Sequence, residues 1–299
     1  AKGINSTAFG MEIETDSPLT LEATGVGGGI SINTSQNSTS TGNIYDLVAR
    51  SILQVLAKDG PIEFIGGQNG VPKGILYFST KPYIGSKAGS SITSSASDIL
   101  IQHDKFSWLT KNPLIATSGD VTIKPNTTSF THATIETDWF SFNQNSQIMS
   151  GLTIGKPGNI SNITHNTNAI NVAGSVNFYG KDITVNENLN TSSKSNGGVL
   201  LKASGNITQA ELKSIITDNG DIIFWADSDN DNLGYVNFLS SGQTLLSNGG
   251  DIIIGGGSGV TTPISFANGG STIHGITFGN NSNYKTILDA RKTGEASGN

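Results

Sequence analysis

A short phrase recurs along the chain: a glycine, one polar residue and then apolar residues at alternating positions. In the copy that begins at Gly119, Val121 and Ile123 are two positions apart and would share one face of a strand. Each copy therefore predicts a turn that leads into a short strand with one buried face. The copies occupy residues 29–32, 119–123, 174–178, 205–208, 220–224, 234–238 and 250–254.

The distance between copies indicates a repeat architecture. Gly174 and Gly198 are 24 positions apart, Gly198 and Gly220 are 22 apart, and Gly220 and Gly250 are 30 apart. Self-similarity at a period of about 20–50 residues is typical of solenoids. A coil of this length holds two or three short strands, and stacked parallel coils would join their apolar faces into one core. The spacing thus predicts an all-β chain built as a parallel β-solenoid.

A pair of antiparallel sandwiches is the alternative fold, because short strands at a spacing of about 8–12 residues also suit that class. It predicts tight hairpins, and Asn-Gly is a common hairpin turn. Three of the Asn-Gly pairs lead into a second glycine and two precede the same Asp-Ile-Ile phrase, which fits the corner of a coil at least as well. The pairs are Asn69-Gly70, Asn196-Gly197, Asn219-Gly220, Asn248-Gly249 and Asn268-Gly269.

Residues 44–58 interrupt the strand pattern. Their apolar positions are spaced by three and four, which is the helical period. Lys58, Asp59 and Gly60 then supply a cationic last turn and a glycine stop. The spacing predicts an amphipathic α-helix over residues 44–58, inserted along the solenoid, and two strands are the alternative. The apolar positions are Ile44, Leu47, Val48, Ile52, Val55 and Leu56.

Composition excludes several classes of protein. The 299 residues include 17 Lys+Arg and 23 Asp+Glu, so the formal net charge is 17 − 23 = −6. With dispersed lysines this balance offers no basic surface for nucleic acid. The absence of cysteine excludes disulfides, thiolate metal sites and cysteine nucleophiles. No stretch approaches the roughly 20 consecutive apolar residues of a membrane helix, so we expect no membrane insertion.

Three segments share a more specific sequence pattern: residues 151–156 (GLTIGK), 173–185 (AGSVNFYGKDITV) and 198–209 (GVLLKASGNITQ). Related sequences recur at 219–222 (NGDI) and 248–252 (NGGDI). The chain here resembles the haemagglutination-repeat portion of bacterial filamentous haemagglutinin-like adhesins, most clearly between residues 151 and 257. The resemblance implies a right-handed parallel β-helix, export across the outer membrane and an extracellular location at the bacterial cell surface.

The chain departs from that family in its first half. Members secreted by the two-partner route carry an N-terminal domain with Asn-Pro-Asn motifs, and Asn112-Pro113-Leu114 is only a faint match. Residues 296–299 repeat the Ala-Ser-Gly-Asn phrase that precedes a predicted strand at 203–206. We therefore expect residues 1–299 to be a single β-solenoid segment, an excerpt of a longer protein that is contiguous with further repeats of the same parent chain.

An acidic stretch is the sharpest candidate for a ligand site. Asp227, Asp229 and Asp231 follow the D-x-D-x-D spacing that opens a Ca²⁺ loop, so they are candidate ligands of one Ca²⁺ ion. Asn232 stands where such loops have glycine, and Phe238 stands where they have a bidentate carboxylate. An adjacent coil could supply the missing ligand. A solvated acidic turn between two strands is the alternative.

Tryptophans are candidate platforms for sugar rings, at Trp108, Trp139 and Trp225. Alternation places Trp225 out of phase with the inward positions Ile222 and Phe224. We therefore expect Trp225 to point outward as a possible glycan contact, with a covering loop as the alternative.

The sequence favours attachment over catalysis. Charged residues make up only 13% of the chain, and the four histidines, His103, His132, His165 and His274, lack metal-motif spacing. We expect a non-enzymatic, elongated segment that attaches to surfaces, to other cells or to glycans.

A carbohydrate-active β-helix enzyme, a polysaccharide lyase or hydrolase, is the alternative function. Asp182, Asp221 and Asp251 could stack as its acids, although Asp in such a turn phrase more often caps backbone amides. An ice-binding solenoid is a third option, disfavoured because the sequence shows no sustained Thr-x-Thr register.

Overall fold

The computed structural model of the chain describes residues 4–7, 10–14, 18–34, 43–47, 52–66, 75–78, 81–108, 112–142, 147–166, 168–265, 267, 275–278 and 285–291. These residues form β-strands joined by turns, with one 3₁₀ turn at Thr137–Trp139. Among them, no helix has the length and hydrophobicity that a bilayer crossing requires. The chain divides into two compact units, one of Ala1–Ala133 with Trp139–Ser150 and one of Thr134–Asp138 with Gly151–Asn299.

The described residues of the first unit form thirteen strands. They are β1 (Ile4–Thr7), β2 (Gly10–Glu14), β3 (Leu19–Ala23), β4 (Ile30–Asn33), β5 (Asn43–Leu47), β6 (Leu53–Ala57), β7 (Ile62–Ile65), β8 (Ile75–Phe78), β9 (Tyr83–Gly85), β10 (Ile99–Gln102), β11 (Lys105–Trp108), β12 (Leu114–Ala116) and β13 (Asp120–Lys124). From β2 to β10 each strand pairs in parallel with the strand three places later, as in the series β4, β7, β10 and β13.

The first two strands are the exception to the parallel pattern. β1 and β2 pair antiparallel, with Ile4 opposite Ile13 and Thr7 opposite Gly10. β2 then pairs in parallel with β5 on its other side. β1 therefore occupies the edge of its sheet and covers hydrogen-bonding groups of β2 that would otherwise be an open template for another strand.

The second unit continues the strand series. Its strands are β14 (Thr134–Glu136), β15 (Gly151–Ile154), β16 (Asn162–His165), β17 (Ile170–Asn171), β18 (Val176–Gly180), β19 (Ile183–Val185), β20 (Leu189–Asn190), β21 (Val199–Ala203), β22 (Ile207–Gln209), β23 (Ser214–Ile216), β24 (Ile222–Trp225), β25 (Val236–Phe238), β26 (Thr244–Leu246), β27 (Ile252–Gly255), β28 (Ile276–Phe278) and β29 (Ile287–Asp289). From β15 onward each strand again pairs in parallel with the strand three places later.

Three sheets result in the second unit, and each is named here by its first strand. The β15 sheet runs β15-β18-β21-β24-β27, the β14 sheet runs β14-β16-β19-β22-β25-β28, and the β17 sheet runs β17-β20-β23-β26-β29. Each repeat contributes one strand to every sheet, so a repeat of the second unit contains three strands.

Inward positions of successive repeats stack in columns. In the β15 sheet, Phe178, Leu201 and Phe224 are register neighbours, and all three side chains are fully buried. Complete burial of such a side chain contributes roughly 1.5–3 kcal/mol. The residues between them, such as Leu200, remain partly exposed. The alternation predicted from the sequence is thus the pattern that fills the core.

Asn-Gly pairs form corners rather than hairpins in the described part of the second unit. Asn196, Asn219 and Asn248 have φ angles of 70°, 58° and 49°. Each precedes a strand of the β15 sheet and follows a strand of the β17 sheet, so the chain changes sheet at this point. The interpretation of these pairs as corners in place of hairpins is confirmed there, whereas Asn69-Gly70 and Asn268-Gly269 lie outside the described residues.

Close approach of neighbouring corners requires glycine at Gly220. A Cβ atom added to Gly220 would overlap the carbonyl group of Gly197 in the preceding repeat, and one added to Gly250 would overlap the carbonyl group of Gly220. The φ angle of Gly220 is not left-handed, so it is contact with the neighbouring backbone that excludes a side chain. The repeated glycine thus sets how tightly the corners stack.

The prediction of a helix over residues 44–58 is wrong, because this segment contains β5 and β6. Leu53, Val55 and Ala57 alternate as expected of a strand, but Leu56 is fully buried as well. Because β6 is buried on both faces, Leu56 is apolar although it lies on the opposite face from Val55 and Ala57. The resulting spacing of apolar residues matches the helical period. β6 pairs with β3 and β9, which places Val55 between Leu21 and Ile84.

The all-β architecture with parallel sheets is confirmed by these pairings, and the antiparallel sandwiches are excluded for the two units. The single solenoid over residues 1–299 and its right-handed winding stay predictions.

Candidate functional site

The acidic loop, defined as residues 227–234, connects β24 to β25 in the second unit. Its backbone makes tight left-handed turns, with φ angles of 49° at Asp227, 64° at Asn230 and 67° at Asn232. Asn and Asp tolerate these angles better than other residues with side chains. Asn232 therefore meets the conformational need that glycine meets in a Ca²⁺ loop.

The carboxylates of Asp227, Asp229 and Asp231 converge. One oxygen atom from each lies within 4.8 Å of the others. The residue Asp227 is buried, whereas Asp229 and Asp231 are exposed. Burial raises the pKa of the Asp227 carboxyl group, the nearby Asp231 and Asp229 charges raise it further, and a hydrogen bond from the Asn232 amide opposes these effects. A cation bound by all three groups would stabilise the charged form of Asp227.

Two of the three carboxylates also organise the loop itself. The amide of Asn232 donates to Asp227 Oδ1 at 3.0 Å, and the amide of Leu233 donates to Asp231 Oδ1 at 2.9 Å. Phe238, at the twelfth position, is fully buried and provides no ligand. Three converging oxygens are half of the smallest usual Ca²⁺ shell of about six. Ca²⁺ at Asp227, Asp229 and Asp231 stays a prediction, with the remaining ligands to come from water or backbone carbonyls.

Trp225 does not point into solvent, so the expectation of an exposed glycan contact there is wrong. Its residue exposure is 1%, and its indole Nε1 donates a hydrogen bond to the carbonyl of Gly257 at 2.7 Å. It does occupy the outer face of the β15 sheet, as alternation predicts, but it is buried there and contacts the chain after β27 through Gly257. Trp139 is half-buried and packs edge-on against His132, and the side chain of Trp108 lies outside the described residues.

Lys202 lies over the buried indole. The register places Tyr179, Lys202 and Trp225 side by side on the outer face of the β15 sheet. Lys202 Nζ lies 3.5 Å from the centroid of the Trp225 ring, which is a close cation–π contact. Burial lowers the pKa of the Lys202 ammonium. The buried Trp225 ring thus affects the outer surface indirectly, because it holds the Lys202 ammonium group in place.

A cavity of about 300 Å³ opens beside this row. We name it the Lys202 pocket, and its charged and hydroxyl-bearing members are Lys156, Tyr179, Lys202, Ser204, Ser228 and Asp229. It therefore contains one of the three acidic-loop carboxylates together with two lysines. Pockets that hold small ligands have volumes of roughly 300–1,000 Å³, so this one suits a ligand at the small end of that range.

Two of the three aspartates considered as catalytic acids, Asp182 and Asp221, serve as backbone caps. Asp221 Oδ1 accepts a hydrogen bond from the amide of Asp251 at 2.8 Å, and Asp182 Oδ1 accepts one from the amide of Asn206 at 2.8 Å. Asp221 and Asp251 precede neighbouring strands of the β15 sheet, whereas Asp182 precedes a strand of the β14 sheet. The structure does not bring these three aspartates together in one stack.

The histidines are likewise separated. His165 is fully buried, with Nδ1 at 3.1 Å from Thr137 Oγ1 and Nε2 at 3.2 Å from the Asn188 carbonyl. Desolvation lowers its pKa to about 4. His132 stacks beside Phe106, and burial lowers its pKa as well. His103 is buried in the first unit, and His274 lies outside the described residues.

The Lys202 pocket could not be predicted from the sequence, because its residues come from four segments that only the strand register brings together. One local signal was present. Lys156-Pro157-Gly158-Asn159 has proline and glycine at the two central positions of a type II turn, which indicates a rigid loop at the end of β15.

Comparison of the chain with protein-family models, with curated proteins and with solved structures finds no match.

Proposed function

We propose that this chain is a structural and adhesive segment of a large secreted bacterial surface protein, and that each unit is a stretch of right-handed parallel β-helix. The observation that carries the proposal is the parallel pairing of each strand from β15 onward with the strand three places later. Such pairing makes each repeat a template for the next, which is the organisation of an extended repeat protein. The right hand is the one that parallel crossover connections strongly prefer.

Hydrogen-bond ladders through consecutive repeats supply the mechanical part of this role. At the start of the β15-sheet strands, the amide of Val176 donates to Gly198 O, that of Val199 to Asp221 O and that of Ile222 to Asp251 O, at 2.8–2.9 Å. Shear across the repeats would have to break many such bonds together. Weak surface contacts repeated from one repeat to the next would then add up to firm attachment.

A row of polar side chains on the β14 sheet supports an attachment role. Register neighbours along this row are Thr164, Thr184, Thr208, Asn237 and Thr277. All five are at least partly exposed, and neighbouring strands in a sheet lie about 4.8 Å apart. Hydroxyl and amide groups at this spacing can exchange hydrogen bonds with hydroxyl-rich ligands such as glycans. The row is a single column, so it does not form the regular Thr-x-Thr surface of the ice-binding alternative.

Attachment is tested with the full chain coupled to beads. Beads are passed under shear flow over surfaces coated with cells or with immobilised glycans, and retention is compared with that of beads carrying the same chain after heat unfolding. We expect retention that depends on folding and rises with tandem copies of the chain. Equal release of folded and unfolded beads from every surface would contradict the adhesive role.

Surface display is tested separately. An antibody raised against the chain should label intact cells that produce it as strongly as permeabilised cells. Labelling only after permeabilisation would contradict the extracellular location.

The enzyme alternative predicts a different outcome. The chain is incubated with a panel of acidic and neutral polysaccharides, and new chain ends are measured over time. We expect no product. Depolymerisation that is lost on replacing a single aspartate, for example Asp221→Asn, would replace the adhesive proposal with a carbohydrate-active enzyme.

A further inference from the structure

The Lys202 pocket has two walls that are fixed to the sheet. The first is the turn at residues 156–159, in which the amide of Asn159 donates to Lys156 O at 3.0 Å and Gly158 has a φ of 82°. Asn159 Nδ2 also donates to the carbonyl of Tyr179 at 2.8 Å, which ties this turn to β18. The wall is therefore positioned before any ligand arrives.

The second wall is the start of the acidic loop. The amide of Ser228 donates to Ala203 O at 3.0 Å, and the amide of Asp227 donates to Gly205 O at 3.2 Å. These bonds hold the loop to the end of β21 and to the turn that follows it. Because β18 and β21 lie between β15 and β24, the two walls stand about three strand spacings apart, or about 14 Å at 4.8 Å per strand.

Tyr179 and Lys202 lie between these walls. Both side chains are partly exposed, and Lys202 rests on the buried Trp225 ring. The contact of Lys202 Nζ within the described residues is with the Trp225 ring, and no carboxylate there forms an ion pair with it. The pocket thus holds a supported, partly desolvated ammonium group beside an aromatic ring.

The geometry points to a binding site for one anionic sugar residue of a glycan, with its carboxylate or sulfate at Lys202 and Lys156. The phenol ring of Tyr179 offers a surface for the sugar ring, which is an aromatic contact that carbohydrates favour. Ser204, Ser228 and Asp229 can exchange hydrogen bonds with the sugar hydroxyls, since a carboxylate accepts from them. This inference rests on the proposed attachment role and names the ligand class.

The charges in the pocket distinguish this ligand from others. Two lysines and one carboxylate, that of Asp229, line the pocket, while Asp227 and Asp231 lie beside Asp229 in the acidic loop and the whole chain carries −6. A neutral sugar would leave the Lys202 ammonium without a counter-charge, and the overall charge opposes a polyanion such as nucleic acid. A single anionic group on a hydroxyl-rich ring matches both the lysines and the hydroxyl-binding side chains.

The test is a calorimetric titration of the full chain with three probes: methyl β-glucuronide, glucose 6-sulfate and methyl β-glucoside. A chelator is present, so that no cation at the acidic loop contributes. We expect binding of the glucuronide, of the sulfate or of both, and binding of the neutral glucoside at least about tenfold weaker, a difference of about 1.4 kcal/mol. The two charged probes distinguish a carboxylate from a sulfate. Equal binding of all three, or binding of none, would overturn the inference.

Single-residue variants test whether the charged probe binds in the Lys202 pocket. Lys202→Met and Lys156→Met should each weaken binding of the charged probe by about tenfold or more, whereas Lys202→Arg should retain most of it. Lys194→Met is the matched control, because Lys194 is exposed in another turn and does not line the pocket. Lys156→Met keeps the test valid if loss of the Trp225 contact unfolds Lys202→Met. Unchanged binding in both methionine variants would overturn the inference.

The same variants on beads separate this inference from the proposed function. If beads carrying Lys156→Met and Lys202→Met are held as firmly as wild type on glucuronate-coated and sulfated surfaces, the pocket assignment fails while attachment stands. If wild-type beads are held by no surface, attachment itself fails.

Discussion

The hydroxyl oxygen of Thr217 lies 3.1 Å from the carbonyl oxygen of Ser247, the residue that holds the same place in the next repeat. Both side chains are fully or nearly fully buried, and each hydroxyl also bonds to a glycine carbonyl in its own corner, Thr217 to Gly220 and Ser247 to Gly250. Thr191 makes the corresponding bond to Gly197 one repeat earlier. A buried hydroxyl therefore closes each of these three corners.

Replacing the hydroxyl with a methyl group tests this arrangement. Thr217→Val keeps the side-chain shape but leaves the carbonyls of Gly220 and Ser247 without the hydroxyl, so we expect the free energy of unfolding to fall by about 1–3 kcal/mol. Urea unfolding measures the change. Thr184→Val, at a partly exposed outward position, is the matched control and should change the free energy by less than about 0.5 kcal/mol. Equal effects of the two substitutions would contradict the role of the corner hydroxyl.

Adding one methyl group at Gly220 should lower the stability of the protein by more than the small size of the group suggests. The Cβ of Gly220→Ala would meet the backbone carbonyl of Gly197, which cannot rotate away as a side chain can. We expect a loss of about 1–3 kcal/mol from overpacking, seen as a lower thermal midpoint. Gly25→Ala is the control, because a Cβ there has nothing within 4 Å and the φ of Gly25 is not left-handed. A midpoint for Gly220→Ala at or above that of Gly25→Ala would show that the corner has room.

The strands could largely be predicted from the sequence, because the alternation of inward and outward side chains determines their pattern of apolar residues. Alternation at Val176 and Phe178 predicted two inward side chains, and both are fully buried. The turn phrase likewise predicted that Asp221 caps a backbone amide, and it accepts from the amide of Asp251. Both inferences depend on residues close in sequence or on identical repeats, where local chemistry decides the outcome.

Two predictions failed where tertiary contacts override the local pattern. The segment around Leu56 looked helical because β6 is buried on both faces, and only the partners of a strand reveal that situation. Alternation predicts Trp225 in solvent, but its indole N–H donates a hydrogen bond to the carbonyl of Gly257, 32 residues later. The Lys202 pocket was missed for the same reason, since strand register brings its members together.

Calcium should raise the thermal midpoint of the protein if the acidic loop binds it. Asp227, Asp229 and Asp231 offer three converging oxygens, and their mutual repulsion would be relieved by a cation. A Ca²⁺ concentration ten times the dissociation constant would add about 1.4 kcal/mol to the free energy of unfolding. The melt is compared in Ca²⁺, in Mg²⁺ and in chelator. Asp229→Asn with Asp231→Asn should abolish the shift, and an identical midpoint in Ca²⁺ and chelator would remove the metal prediction.

Mild acid should destabilise the protein through His165. The folded-state pKa of His165 is lowered from 6.5 to about 4, mainly because burial disfavours the imidazolium. The unfolded chain therefore binds more protons than the folded chain as the pH falls below 6.5, so stability is present at neutral pH and is lost toward pH 4. For these two pKa values, the loss between pH 6.5 and pH 5 is about 1.5 kcal/mol.

A variant separates His165 from other titrating groups. His165→Gln removes the titration and retains a polar side chain beside Thr137 and the Asn188 carbonyl, so its free energy of unfolding should fall less steeply between pH 6.5 and pH 5. The pKa of His132 is also lowered by burial, so a remaining slope of the same sign is expected in this variant. Urea unfolding at several pH values compares the two proteins. Parallel pH profiles for wild type and His165→Gln would contradict the assignment, because the contribution of His165 must disappear with its imidazole.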